Sequence, residues 1–218
     1  MTSFSGKKLT CVRGGRIVFT SLNFTISQGE VLYLKGPNGS GKSTLLRLMA
    51  GILRPSNGAL TWNNNDIHDD EGLFRSRVHY VGHQDAIKAG LTVEENLRFW
   101  AEMNYYMKEK HSIQTALKVF SLDGLSTLPA RFLSAGQRKR LNLARLSATY
   151  APLWLLDEPT NSLDSGSVRI LSRAISDHQQ KGGMVAIATH EDLDLKDNVL
   201  NLSEFTNLTA PPQGYNAW

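Results

Sequence analysis

Short, largely apolar runs bounded by glycine or polar residues recur along the chain and predict buried β-strands. The longest of these runs lie at residues 31–34, 78–81, 153–157 and 184–189. Shorter strand-like segments occur at residues 9–12, 17–19, 22–26 and 58–62. Because Gly14 and Gly15 mark a turn between the first two of these segments, we expect a small antiparallel sheet near the start of the chain.

Helical periodicity of the apolar positions appears between these strands. The pattern predicts helices over residues 44–50, 93–122, 135–149 and 167–178. Strands that alternate with helices are typical of an α/β core, which a long helical stretch interrupts here. We therefore predict one domain over residues 1–218, with a helical subdomain at about 85–150 and a tail without periodicity at about 206–218.

The overall composition excludes several classes of protein. The 218 residues include a single cysteine, Cys11, which excludes an internal disulfide and a cysteine-rich zinc site. No run of about twenty apolar residues occurs and the first residues lack the apolar stretch of a secretory signal, so we expect a soluble chain. The net charge of +4 fits an anionic ligand or a membrane surface but not the concentrated basic stripe of a nucleic-acid binder.

A glycine-rich segment between a predicted strand and a predicted helix gives the strongest chemical signal. It fits the pattern G-x-x-x-x-G-K-[ST] and reads Gly36, Pro37, Asn38, Gly39, Ser40, Gly41, Lys42, Ser43, followed by Thr44. Backbone N–H groups of such a loop, with the helix N-terminus, bind phosphates. Lys42 is predicted to reach the terminal phosphates and Ser43 to bind Mg²⁺. The alternative, a chance glycine-rich turn, is disfavoured by the strand and helix on either side.

Two acidic residues end the predicted strand at residues 153–157. A carboxylate at the C-terminal end of a buried strand, beside the phosphate loop, can hold Mg²⁺, and we assign this role to Asp157. Glu158 is then placed to orient or deprotonate the water that attacks a γ-phosphate. The alternative is an ordinary strand end with two solvated acids, but together with Lys42 the pair predicts nucleotide hydrolysis.

A second anion-binding helix start lies at a short polar turn that reads Leu133, Ser134, Ala135, Gly136, Gln137. Here the sequence resembles the ATP-binding cassette (ABC) ATPases, whose signature motif usually reads L-S-G-G-Q. This chain departs from it at the third position, where it has Ala135. The resemblance covers nearly the whole chain. It implies a P-loop NTPase fold with a RecA-like core, an antiparallel β subdomain and an α-helical subdomain, with ATP and Mg²⁺ as ligands.

The resemblance also implies roles for residues that would be unremarkable singly. Gln84 resembles the Q-loop glutamine, which contacts the metal and the attacking water; Asp164 resembles the D-loop aspartate, and His190 the switch histidine that senses the γ-phosphate. Alone, these would be a surface amide, a helix N-cap and a strand-end histidine. Arg13 occupies the position where the family commonly stacks an aromatic residue on adenine, and a guanidinium can also stack on a base.

In this family two copies close head to tail, so the resemblance implies a homodimer with each ATP between the phosphate loop of one copy and the signature turn of the other. On that model Ser134 and Gly136 contact the γ-phosphate bound by the opposite copy. The surface near Gln84 and the helical insert would pass the closing motion to a membrane partner.

Residues 82–88 and 91–97, with Ala135, further resemble the cytochrome c maturation ATPases, the CcmA family. That resemblance implies CcmB-, CcmC- and CcmD-like membrane subunits and ATP-driven haem export or release of a haem-loaded chaperone. It also implies a peripheral position on the cytoplasmic face of the inner membrane or the matrix side of the mitochondrial one. The histidines are scattered and C-x-x-C-H is absent, so we expect no direct haem binding. Alternatives are another ABC transporter subunit, a soluble ABC ATPase acting on nucleic acid or ribosomes, and an ATP sensor without turnover.

Overall fold

The computed structural model describes residues 2–103, 112–191, 193 and 198–206. Its first part is an antiparallel sheet with the strand order β2-β1-β4-β5. These strands are β1 (Ser3–Arg13), β2 (Arg16–Ser27), β4 (Asn57–Trp62) and β5 (Asn65–Asp66). The strands predicted at 17–19 and 22–26 form one strand, β2, in which Ser21 adopts a φ of 52°. The strand was predicted as two segments because polar residues near Ser21 interrupt the apolar pattern.

The second sheet is entirely parallel and has the strand order β6-β7-β8-β3-β9. Its strands are β3 (Val31–Lys35), β6 (Val78–Val81), β7 (Leu153–Asp157), β8 (Met184–Ala188) and β9 (Asn198–Asn201). The four long apolar runs form four of these strands, which confirms the predicted α/β core. The edge strand β9 was missed because its flanking asparagines are polar and exposed, unlike a buried strand.

Helices occupy most of the segments with helical periodicity. They are α1 (Lys42–Met49), α2 (Glu71–Ser76), α3 (Val93–Met103), α4 (Ile113–Val119), α5 (Ala135–Ala148), α6 (Ser165–Gln180) and α7 (Ser203–Thr206). The helix predicted over 93–122 contains both α3 and α4, and residues 104–111 lie outside the described part of the chain. The predicted tail also lies outside it, apart from Thr206. The division into subdomains stays a prediction.

The two faces of the parallel sheet belong to two different hydrophobic cores. Along β3, for example, Leu32 and Leu34 pack with α1 and the antiparallel sheet, whereas Val31 and Tyr33 pack with α5 and α6. Such burial on both faces explains why these strands read as continuous apolar runs rather than as alternating ones. The described residues contain no helix long and apolar enough to cross a membrane.

The chain order of the parallel strands determines where the polar residues meet. β8 lies between β7 and β3, and all three run in the same direction. Their C-terminal ends lead into the phosphate loop after β3, into Asp157 and Glu158 at β7, and into Thr189 and His190 after β8. Because these ends share one edge of the sheet, residues far apart in sequence lie side by side there.

Candidate functional site

The phosphate loop connects β3 to α1, and its backbone conformation requires glycine. Gly36 has a φ of 144° and Gly41 a φ of 93°, values that other residues rarely adopt. A Cβ at Gly36 would lie 2.6 Å from the Ser40 hydroxyl oxygen, and one at Gly41 would lie 2.6 Å from Val18 Cγ1. The two glycines therefore allow the loop to bend tightly before the N-terminus of α1.

Lys42, the first residue of α1, turns its side chain back into this loop. It is 8% exposed, and its ammonium donates to the carbonyl oxygens of Gly36 at 2.8 Å and Pro37 at 3.2 Å. A lysine ammonium has three donors and no acceptor, so it can exchange carbonyl partners for the oxygens of an anion. The loop thus holds a positive charge at the position where the helix N-terminus also attracts negative charge.

Ser43 and Asp157 join the loop to the end of β7. The Ser43 hydroxyl donates to Asp157 Oδ1 at 2.9 Å, and Asp157 is 1% exposed. Asp157 Oδ2 is buried without a hydrogen-bond partner. A buried carboxylate oxygen without a partner is costly, and beside a hydroxyl it suits a hard divalent cation. The described residues contain no group of three or more His, Cys, Asp or Glu side chains that could hold a metal alone.

Glu158 follows Asp157 in an uncommon backbone conformation, with a φ of 48°. Its N–H donates to the Ala188 carbonyl at 2.8 Å, and its own carbonyl accepts from the Lys139 ammonium at 3.0 Å. Its Oε1 lies 3.6 Å from Nε2 of His190, longer than a hydrogen bond. The His190 side chain is 64% exposed and that of Glu158 17%. The pair therefore faces solvent with room between the two groups.

The residue before His190 anchors this segment to its neighbours. Thr189 is 1% exposed, and its hydroxyl forms a 2.9 Å hydrogen bond with the hydroxyl of Thr160. The same Thr189 oxygen accepts from the Glu191 N–H at 3.1 Å. These contacts tie the chain after β8 to the chain after Glu158, which holds His190 beside the carboxylate.

A cavity of about 450 Å³ opens over these groups. Its lining includes Arg13, Val18, Asn38, Gly39, Gly41, Lys42, Ser43, Thr44 and Glu158. Arg13, at the end of β1, is exposed and contributes from the antiparallel sheet. The volume lies within the range of small-molecule sites. The structure thus brings Arg13, the phosphate loop and Glu158 to one cavity.

The turn before α5 does not line this cavity. Ser134 caps α5: its hydroxyl accepts from the Gln137 N–H at 3.2 Å, while Gln137 Oε1 accepts from the Ser134 N–H at 2.9 Å. Ser134 and Ala135 are exposed. A Cβ at Gly136 would lie 3.3 Å from the Ser162 carbonyl oxygen, so the turn approaches the segment before α6. This second anion-binding helix start is preformed and faces solvent.

Two further predicted residues differ in their surroundings. Asp164 accepts from the Ser167 N–H at 2.7 Å as the N-cap of α6, and this hydrogen bond holds the pKa of Asp164 below its usual range. Within the chain, Asp164 therefore acts as a helix N-cap, the alternative given for it above. Gln84 is exposed in the loop after β6 and does not belong to the cavity lining.

A separate cleft of about 250 Å³ lies between α3 and the edge strand β6. Trp100 and Met103 of α3 line it, with Tyr80 of β6 and Arg145 of α5. The Arg145 guanidinium donates to the Tyr80 carbonyl and lies 5.6 Å from the centre of the Trp100 ring. Burial lowers the pKa of Arg145 to about 10, so it stays charged at neutral pH. The cleft thus combines apolar walls with a cation.

Buried histidines occur away from the cavity. The rings of His178 and Trp154 stack with their centres 3.9 Å apart, and His79 contacts the Thr149 hydroxyl at 3.0 Å. Burial lowers the pKa of each of these histidines to about 4, so both are neutral at pH 7. They belong to the packing of the fold, whereas His190 lies beside Glu158.

Sequence reasoning missed Lys139. It stands among several basic residues of α5, where nothing in the spacing separates a buried lysine from exposed arginines. In the structure Lys139 is 6% exposed and reaches the Glu158 carbonyl.

Comparisons with known proteins agree with this geometry. The model of the family described as "ABC transporter" matches residues 19–161. The cytochrome c biogenesis ATP-binding export protein CcmA of Paramagnetospirillum magneticum is 48% identical over 207 residues, which cover 94% of this chain and 95% of that protein. Its counterpart in Rhodospirillum rubrum is 50% identical over 203 residues, covering 93% and 86% respectively.

Solved structures show the same fold. A putative ABC transporter ATP-binding protein from Pyrococcus furiosus superposes with a TM-score of 0.82 at 24% identity, covering 94% of this chain and all of that one. An ATP-binding subunit of an ABC transporter superposes with a TM-score of 0.77 at 26% identity, covering 86% and 79%.

Proposed function

This chain belongs to the ATP-binding ABC transporter family and to its CcmA group, and we propose that its ATP hydrolysis drives a membrane complex of cytochrome c maturation. The observation that carries the proposal is the hydrogen bond from Ser43 to the buried Asp157, beside a cavity that Lys42, Ser43 and Glu158 line. Such a contact joins a phosphate-binding helix start to an acidic strand end, as nucleotide hydrolysis requires. The energy of hydrolysis would serve haem export or the release of a haem-loaded chaperone.

ATP would bind along the phosphate loop. The backbone N–H groups from Gly36 to Thr44 would surround the phosphates, with the Lys42 ammonium exchanging its carbonyl partners for phosphate oxygens. Arg13 lines the same cavity, where its guanidinium could stack on the adenine ring. The phosphate loop would therefore provide most of the affinity for ATP, and Arg13 would contact the adenine ring.

Mg²⁺ would bind where the Ser43 hydroxyl meets Asp157. The buried Oδ2 of Asp157 lacks a partner, which supports this assignment. Magnesium keeps several waters and phosphate oxygens in its shell, so one carboxylate and one hydroxyl suffice from the protein. Gln84 would join this shell from its exposed loop on closure. The metal would neutralise charge on the phosphates, and the protein's part is to hold Ser43 and Asp157 in place.

Glu158 would activate the attacking water. The water oxygen forms a bond to the γ-phosphorus, its proton goes to the Glu158 carboxylate, and the bond from that phosphorus to the bridging oxygen breaks, leaving ADP and phosphate. His190, whose Nε2 lies 3.6 Å from Glu158 Oε1, would donate a hydrogen bond to a γ-phosphate oxygen. The 3.6 Å distance between Glu158 and His190 supports these roles, because both side chains can reach the same γ-phosphate and its attacking water.

A second copy would complete each site. Ser134, Ala135, Gly136 and Gln137 form an exposed, capped helix start that does not line the chain's own cavity. A helix N-terminus of this kind is suited to bind the γ-phosphate presented by another copy. We therefore propose a head-to-tail homodimer with two ATP molecules between the copies.

The membrane partner would dock at the cleft between α3 and β6. This cleft has apolar walls from Trp100 and Met103 and the cation of Arg145, which suits a short amphipathic segment with an acidic or carbonyl-rich end. The partners would be CcmB-like, with CcmC- and CcmD-like subunits. The chain would then be peripheral, on the cytoplasmic face of the inner membrane or the matrix side of its mitochondrial equivalent.

Haem contact is assigned to the partners. His178 is buried, His79 is partly buried and both are neutral, and His190 serves the ATP site in this proposal. We therefore propose no direct haem binding and no nucleic-acid partner.

Cells that carry Glu158→Gln as their only copy test the whole proposal. Because loading of the chaperone precedes the ATP-driven release in this family, these cells should accumulate haem-loaded chaperone and lack mature c-type cytochromes. Haem staining of membrane proteins measures both species. Lys118→Met, which removes an exposed lysine of α4, serves as the control for expression and membrane recruitment. Normal cytochrome c levels with Glu158→Gln would refute the haem-related role and leave the ATPase assignment intact.

A further inference from the structure

Lys139 is a buried cation of α5 that contacts the backbone of Glu158, the proposed catalytic base. It is 6% exposed, and its ammonium donates to the Glu158 carbonyl oxygen at 3.0 Å. Burial lowers the pKa of Lys139, and the charges of Asp85, Asp157 and Glu158 oppose that effect. An ammonium is costly to bury without partners, so its position calls for a reason beyond packing.

The contact falls on the residue whose backbone is most unusual in the site. Glu158 has a φ of 48°, in the left-handed region that residues other than glycine and asparagine rarely adopt. Such a conformation persists only where its surroundings hold it. The N–H of Glu158 donates to Ala188 of β8 at 2.8 Å, which fixes the peptide group before it.

The peptide group after Glu158 is held mainly from α5. Its carbonyl accepts from the Asn161 N–H at 3.4 Å and from the Lys139 ammonium at 3.0 Å. The hydrogen bond from Lys139 is the shorter of the two, and its donor is charged. Charge-assisted hydrogen bonds are stronger than neutral ones. Without it, the peptide could rotate toward a relaxed conformation and carry the carboxylate away from His190.

We infer that Lys139 is a positioning residue for ATP hydrolysis, which fixes the backbone of Glu158 so that its carboxylate faces the attacking water. The inference rests on the proposed role of Glu158 as the base. Lys139 is not part of the cavity lining, and its hydrogen bond is to the peptide group of Glu158. It should therefore affect the chemical step and leave ATP binding unchanged.

The test is a double-mutant cycle in purified protein reconstituted with its membrane subunits. Lys139→Met should lower kcat about tenfold while the KM for ATP changes less than about twofold, because only the base is misplaced. In the Glu158→Gln background the same substitution should change the residual rate less than about twofold, since the group that Lys139 positions is already lost. Lys118→Met is the matched control on an exposed helix face.

Conservative variants separate the hydrogen bond from the charge. Lys139→Arg keeps a charged donor and should recover most of kcat, whereas Lys139→Gln keeps a neutral, weaker donor and should recover only part of it. No recovery with either variant would overturn the positioning role. Full activity of Lys139→Met, a rise confined to KM, or rate losses that multiply with Glu158→Gln would also overturn it.

Two outcomes distinguish this inference from the proposed function beneath it. If Glu158→Gln hydrolyses ATP normally, the role of Glu158 as the base fails and the inference fails with it. If Glu158→Gln is inactive and Lys139→Met is fully active, only the inference fails. Should Lys139→Met not fold, as judged by circular dichroism, Lys139→Gln replaces it, and its partial loss of kcat is measured with and without Glu158→Gln.

Discussion

The phosphate-loop end of the parallel sheet and the start of α5 are both proposed to bind phosphate, but they are built in opposite ways. At the first, Lys42 and Asp157 are nearly fully buried and bond to other elements of the chain. At the second, Ser134 and Ala135 are exposed, and Ser134 bonds only within its own turn. The phosphate-loop region combines residues that are far apart in sequence, such as Ser43 and Asp157. The turn before α5 consists of the consecutive residues 133–137.

The difference teaches how the two regions can be used. Residues held by buried contacts across elements can bind a ligand without help from another chain. A capped helix start on the surface is preorganised, yet it has no opposite wall within the chain to complete a site. The contrast agrees with a site that two copies share, and substitutions in each region test it differently.

The largest effect is expected at the buried region. Lys42→Ala removes the ammonium from the loop and should weaken ATP binding about a hundredfold or more, because charge-assisted contacts to phosphate are lost. Isothermal titration with a non-hydrolysable ATP analogue measures the affinity. Ser134→Arg is the control, and it should bind ATP within about threefold of wild type. Equal losses in the two variants would remove the contrast between the regions.

Mixing the two variants sharpens the comparison. Neither Lys42→Ala nor Ser134→Arg dimers have a complete site, but each mixed dimer has one. With random pairing, half of the dimers are mixed and one of their two sites is intact, so about a quarter of wild-type hydrolysis should return. Phosphate release measures the activity, and differently tagged copies confirm the mixed dimers. Confirmed mixed dimers without activity would contradict the shared site.

The residues of the phosphate-loop region could be predicted from the sequence because they lie in short, recognisable segments. The loop from Gly36 to Ser43 is one contiguous segment, and Asp157 ends an apolar run, so the rules for helix starts and parallel strands bring them together. Lys139 could not be found in this way. Its contact with Glu158 depends on how α5 packs against the end of β7, and sequence spacing carries no record of that packing.

Element boundaries show the same distinction. The strands with apolar residues on both faces were predicted closely, as β7 shows. The six-residue α2 was missed because it is too short for periodicity and is fixed by a cap, in which Asp70 accepts from the Leu73 N–H. Local signals therefore predict elements with a strong repeat, and tertiary contacts decide the rest.

The cap of α5 gives a smaller effect that separates stability from activity. Ser134→Ala should lower the free energy of unfolding by about 1 kcal/mol, since the Gln137 N–H loses its acceptor. Ser134→Asp keeps the cap and should retain that stability, but its charge would repel the γ-phosphate of the opposite copy and reduce hydrolysis. Urea unfolding and phosphate release measure the two properties. An active Ser134→Asp variant would speak against phosphate contact by this turn.

The smallest effect concerns the buried histidines, which lie outside both regions. Their pKa values of about 4 in the folded state lie below the ordinary value of 6.5. Between these values the unfolded chain binds protons that the folded chain does not, so stability falls as pH falls through this window. We expect a loss of about 0.7 kcal/mol for each histidine between pH 7 and pH 6.

Denaturant unfolding at the two pH values measures this loss. His178→Phe keeps an aromatic ring against Trp154 and should reduce the pH dependence. A pH dependence that His178→Phe does not alter would show that His178 is not one of its sources.

The helix α5 runs from its cap at Ser134 past Lys139 to Arg145, so it connects the exposed turn with the cleft between α3 and β6. Its rise per residue puts roughly 16 Å between the cap and Arg145, so a tilt of about 10° around Arg145 moves Ser134 by about 3 Å, the length of a hydrogen bond. A small rotation at the cleft between α3 and β6 is thereby enough to make or break a contact at the other end. The leverage is reciprocal, because whatever factor an occupied cleft adds to ATP-driven closure, closure must add to the affinity of the cleft for its occupant.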